Sequence, residues 1–190
     1  MKRFVLLAFL ASVLPMAAWA NEIDFANSGG TLSGSNSGLS LTDSTLIAIN
    51  GLNGSGLIIG TNLGGVYFTT GALTSGSLAG GATFAAGGSF TISGTNGVIF
   101  NGSFSSPVTW TLMTLKNGTH EYTLQGAISG GGMNGATIQL TLNSGKGFFS
   151  GSAVIASGNT NVVVPEPGTL GLLGSGLVSI AGLVRRRMKT

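Results

Sequence analysis

The sequence predicts an all-β body, an antiparallel sandwich or barrel, held between two targeting segments. Three observations carry this expectation. Short apolar runs recur every 8 to 12 residues between positions 21 and 161, separated by Gly, Asn and Ser. No stretch of that region sustains the i, i+3, i+4 apolar stripe of a helix. Glycine accounts for 34 of 190 residues, far above the usual ~7%. Pro107 is the only proline of the body and there is no third-position glycine period, so collagen is excluded. Gly, Ser, Thr and Asn crowd the segment from Asn27 to Gly65, as in a disordered chain. The β-branched and aromatic content and the near absence of charge oppose that reading. A folded body of roughly 140 residues is expected, enough for one core, with room for a loose segment over residues 21–35.

From the N-terminus, Lys2 and Arg3 precede an apolar run from Phe4 to Leu14, and Ala18-Trp19-Ala20 follows. This is the layout of a secretory signal peptide over residues 1–20, cut after Ala20 and before Asn21. Pro15 ends the run, which is too short for a retained anchor. No twin-arginine pair precedes it, so the Sec machinery is the expected export route and folding takes place outside the cytoplasm.

The body then reads as strands at 45–49, 65–70, 89–93, 97–100, 108–115, 121–125, 136–142 and 147–150. Asn117-Gly118 marks a hairpin with a two-residue primed turn. That turn sets Leu115 opposite His120 and Met113 opposite Tyr122, which leaves Trp110 and Leu112 across from polar partners. A one-residue bulge brings Trp110 and Leu112 onto the face of Tyr122 and Leu124, and is favoured because it buries more apolar area. The rival architecture is a β-solenoid. Punctuation around Gly30, Gly34, Asn36 and Gly38 would suit short stacked coils, but the runs share no fixed repeat length.

Charge and composition exclude several classes of chemistry. The formal net charge of +3 belongs to the two ends. Within the body Lys116 and Lys146 stand against Glu22, Asp24, Asp43 and Glu121, a balance of −2, so a nucleic-acid surface is not expected. With no cysteine there is no disulfide framework, thiolate metal site or cysteine nucleophile.

His120 is the only histidine. It reads as a hairpin-edge residue with its ring partly in water, beside Glu121 on the opposite face, and no Gly-x-Ser-x-Gly elbow accompanies it. One histidine cannot form a metal cluster, and the carboxylates do not repeat at coordinating spacings, so no metal or cofactor is expected. Glu22 and Asp24 read as solubilising charges and Asp43 as turn chemistry, leaving no carboxylate pair for glycoside hydrolysis and no catalytic residue. Ice binding would want a ladder of Thr-x-Thr, and Thr109-Trp110-Thr111 is a single instance. Tyr67, Phe68, Trp110 and Tyr122 are candidate sugar-contact aromatics, against a core-filling role for the same rings. Asn53-Gly-Ser55, Asn101-Gly-Ser103 and Asn117-Gly-Thr119 fit the N-glycosylation pattern, which chance also supplies in so Asn- and Gly-rich a chain.

The last segment, residues 162–190, differs from everything before it. Val164-Pro165-Glu166-Pro167-Gly168 comes first, then an apolar run from Thr169 to Val184, then Arg185, Arg186, Arg187 and Lys189. The two prolines bias Val164 and Glu166 away from helix and toward extended backbone. The run, about 24 Å long as a helix, is a marginal span of a ~30 Å hydrocarbon core. The arginines keep its end in the cytoplasm and place Pro-Glu-Pro outside. Gly171, Ser175 and Ser179 form a ridge of small side chains on which another helix could dock.

This segment resembles the PEP-CTERM sorting signal of Gram-negative bacteria, a motif also labelled as the C-terminal segment of ice-binding proteins. The resemblance rests on Pro165-Glu166-Pro167, the Gly/Leu-rich span and Arg185 to Arg187. It implies recognition by an exosortase, a transient stay in the inner membrane, and delivery to the cell surface or exopolysaccharide matrix. For the body, the two expectations are a structural or adhesive component and a polysaccharide-binding module.

Overall fold

The structure, a computed structural model, describes residues 22–131 and 135–163. The predicted signal peptide, apolar C-terminal helix and cationic end lie outside the described residues. Within them the chain forms β1 (Glu22–Ser28), β2 (Thr31–Ser35), β3 (Gly38–Asn50), β4 (Ile58–Ile59), β5 (Gly64–Thr69), β6 (Leu73–Ser77) and β7 (Gly81–Phe84). There follow β8 (Gly87–Gly94), β9 (Gly97–Phe104), β10 (Val108–Thr114), β11 (His120–Gly130), β12 (Gly135–Gly145), β13 (Ser152–Val154) and β14 (Ser157–Val163).

Eight strands close into an antiparallel barrel in the order β1-β3-β5-β8-β9-β11-β12-β14, and β14 pairs back onto β1. This settles the expected architecture as a barrel rather than a sandwich or solenoid. Closure removes the sheet edges that these eight weakly charged strands would otherwise expose. β10, β7 and β6 leave β11 as a flange, β2 carries β13 beside β3, and β4 adds two residues to β3.

Strand alternation puts the core inside. In β12, Ala136, Ile138, Leu140 and Leu142 are buried while Thr137, Gln139 and Asn143 face out. Phe68, Phe90, Phe100 and Phe104 fill the interior, with edge-to-face contacts of 5.7 to 6.1 Å and a Phe68–Phe90 stack at 6.3 Å. Each such ring contributes about 1.5–3 kcal/mol by burial, which in a body without cysteine, hence without disulfides, is the main source of stability.

β3 shows how 13 residues follow the barrel wall. Leu39 and Leu41 point inward, then Ser44 and Leu46, then Ile49, and the extra residue at each step is a bulge. Asp43 takes the left-handed conformation in the first of these (φ 57°). It was expected in a turn; the same backbone freedom serves a bulge inside a strand.

Four sequence expectations are corrected. Residues 22–35 are not loose: β1 is a stave paired on both sides, and Phe25 within it is fully buried. Residues 147–150 form no strand, because Phe149 donates its N–H to the Tyr122 hydroxyl (3.1 Å) instead of a ladder partner. The Asn117-Gly118 hairpin is not a primed two-residue turn. Gly118 N–H bonds Leu115 O (2.9 Å) across Lys116-Asn117, and Gly118 alone takes positive φ (79°), the three-residue turn with a glycine bulge. That bulge gives the register favoured from apolar area, Trp110 opposite Leu124 and Leu112 opposite Tyr122. Finally, the body runs beyond residue 161: β14 continues to Val163, and Val162 is core.

Candidate functional site: the sorting junction and the outer groove

The first and last strands of the barrel are neighbours. Glu22 pairs with Val163, and Val163 pairs on its other side with Gly135. The first and last described residues of the barrel thus share one rung. Val162 is buried and Val163 is half out in solvent. Val164, Pro165, Glu166, Pro167 and Gly168 follow directly, with no linker in the sequence between the ladder and the Pro-Glu-Pro element. These five residues, Arg185, Arg186, Arg187 and Lys189, and the cleavage residues Ala18, Ala20 and Asn21 lie outside the described residues. Among the described residues no helix is long and apolar enough to cross a membrane.

The candidate sugar-contact aromatics divide. Tyr67 is 42% exposed on the outer face of β5. Trp110 and Tyr122 are buried to 1% and 0% and cannot reach a ligand, which corrects the expectation for both; Phe68, at 2%, is core as well. Alternation explains the difference, since the bulged hairpin register turns Trp110 and Tyr122 inward and stacks them at 4.9 Å. The indole N–H donates to Leu78 O (2.9 Å), and the Tyr122 hydroxyl donates to Ala79 O (2.6 Å) while accepting from Phe149.

His120 is also more enclosed than expected, at 9% exposure. Its Nδ1 shares a hydrogen bond with the Thr114 hydroxyl (3.1 Å), and its ring stacks on exposed Phe148 at 4.2 Å. Asp24 accepts from the Asn161 amide (3.0 Å). Among the described residues no three His, Asp or Glu side chains gather into a metal-holding group. Asn53, Asn101 and Asn117, the three glycosylation-pattern asparagines, are all exposed.

A groove of about 580 Å³ on the outer wall was not anticipated from the sequence. Its floor is one rung of four strands: Thr109 opposite Gln125, Gln125 opposite Gln139, and Gln139 opposite Asn159. Thr137 and Asn161 form the next rung, and Ser106-Pro107, where the chain steps from β9 to β10 along the same edge of β11, make the wall. Gln125 and Gln139 are the only glutamines in the chain. That pair was the available signal, but it needed the β11–β12 register to become a site.

A family model described as the PEP-CTERM protein-sorting motif matches residues 163–187. No curated protein and no solved structure matches the chain. The chain therefore carries a PEP-CTERM sorting motif whose first matched residue is the last rung of β14. The motif implies an exported protein, anchored transiently in the membrane and then processed by an exosortase.

Proposed function

We propose that the protein is a non-catalytic surface or extracellular-matrix component, delivered by exosortase processing near Pro165-Glu166-Pro167. The signal peptide starts export through the Sec machinery, the apolar run Thr169 to Val184 halts it, and Arg185 to Arg187 with Lys189 hold the end in the cytoplasm. The enzyme then cuts close to the extended Pro-Glu-Pro element and frees the barrel to the cell surface or biofilm matrix. The observation that carries this reading is the fusion of the matched motif to the end of β14 without a linker. A structural or adhesive role for the barrel is supported by its makeup: packed Phe and Leu inside, small uncharged hydroxyls and amides outside.

Intact mass of the protein extracted from the cell surface tests the reading. A mature form lacking Arg187 and everything after the Pro-Glu-Pro region is expected, and a surface form still carrying Arg187 would refute it. Glu166→Ala is expected to accumulate as an unprocessed membrane form, detected by fractionation and mass. Release equal to the wild type would remove Glu166 from recognition.

A further inference from the structure

The geometry points to the outer groove as a binding site for a neutral, hydroxyl-rich glycan chain. Three amide side chains, Gln125, Gln139 and Asn159, stand side by side on adjacent strands with Thr109 at one end. All four residues are exposed. Among the described residues the three amides have no side-chain hydrogen-bond partner, whereas the neighbouring Asn161 is tied to Asp24. A side-chain amide offers a donor and an acceptor in one plane, which suits a pair of adjacent sugar hydroxyls. A row of them repeats that offer at every strand step.

The size and charge of the groove narrow the ligand. Three strand steps of about 4.7–4.9 Å make a floor of about 14–15 Å, matched to several sugar units in a line rather than to one. The groove's volume lies within the range of ligand-binding clefts. No charged residue lines it, so a uronate, sulfate or phosphate group would lose hydration without gaining a cation. A nucleic acid or an acidic glycan is accordingly the wrong ligand. The Pro107 ring in the wall gives an apolar surface for sugar C–H groups, in place of the aromatic platform that Trp110 and Tyr122 cannot provide.

This site extends the reading of an exported, non-catalytic barrel, and affinity electrophoresis of the processed protein tests it separately. The sample is first shown by mass to lack its tail, so the processing and binding results can fail independently. The probes are a soluble β-glucan, a mannan and a galactomannan, with alginate as the anionic polymer. Retardation by at least one neutral polysaccharide, and none by alginate, is expected. Gln125→Ala/Gln139→Ala should weaken it by roughly tenfold or more, since each lost hydrogen bond to a ligand hydroxyl is worth up to about a factor of ten. Gln139→Glu, which keeps the size of the side chain, should weaken it too. Asn101→Ala on the outer face of β9 should leave it unchanged. Absence of retardation by all three neutral polymers, equal binding by the double variant, or stronger retention by alginate would each overturn the proposal. So would a concentration-dependent dimer in sedimentation velocity that the double variant abolishes without any glycan effect, because the face would then belong to a second copy.

Discussion

Two buried regions of the barrel satisfy their polar groups very differently. Around Trp110, the indole N–H, the Tyr122 hydroxyl and the Phe149 N–H all find partners, and Phe149 closes on Trp110 at 5.4 Å. At the seam between β1 and β14, Asn27 is wholly buried and donates to the Ser44 hydroxyl (2.7 Å). Yet its Oδ1, and the hydroxyl of equally buried Thr160, have no partner among the described residues. The same chain is therefore tightly knit at its flange and under-bonded at the seam that holds its two ends together. Unmet buried polar atoms cost stability, so cohesion rests with the aromatic wedge. What the seam secures is geometry, the first strand held beside the last with Glu22 opposite Val163.

The wedge formed by Trp110, Tyr122 and Phe149 is where damage costs most. Trp110→Ala removes the largest ring of the core and strands the Leu78 carbonyl. An expected loss of about 3–5 kcal/mol is a large part of the total stability of a small domain. Denaturant unfolding followed by circular dichroism measures it. A loss below about 1 kcal/mol would erase the contrast between the regions.

Tyr122→Phe is a finer cut at the same place. The ring keeps its stack on Trp110, but Ala79 O and Phe149 N–H lose their shared hydroxyl. The expected cost is about 1–3 kcal/mol, read from denaturant unfolding followed by circular dichroism. No measurable change would mean that the hydroxyl bridges nothing of consequence, and that the stacking alone holds the wedge.

These two regions were not equally legible in the sequence. Trp110 and Tyr122 could be placed on one face because a local hairpin fixes their register, and comparing apolar burial in two registers chose correctly. The seam could not be foreseen, since β1 and β14 lie more than 130 residues apart and their pairing is a consequence of closure. Within β1, Ile23 and Phe25 alternate with Asp24 and Ala26, but an alternation this short does not outweigh the Gly, Ser, Thr and Asn that crowd the sequence just after it. The groove was hidden for a different reason, since Gln125 and Gln139 become neighbours only in the β11–β12 register and Asn159 joins them only through the β12–β14 register. The sorting motif needed no fold at all, because its prolines, apolar run and arginines act through local sequence.

The smallest and most discriminating change lies at the seam. Thr160 faces the interior opposite Phe25 and Ile138, and its hydroxyl has no partner among the described residues. Thr160→Val replaces that hydroxyl with a methyl of similar size and removes a desolvated polar atom. The expected result is a gain of about 1 kcal/mol in denaturant unfolding, the opposite sign to both wedge variants. Gly158, two residues earlier, shows why a bulkier change would confuse the result: a side chain there would run into the Asn27 amide. A loss from Thr160→Val would show that the hydroxyl is bonded in solution, and the seam would then have to be counted as cohesive as the wedge.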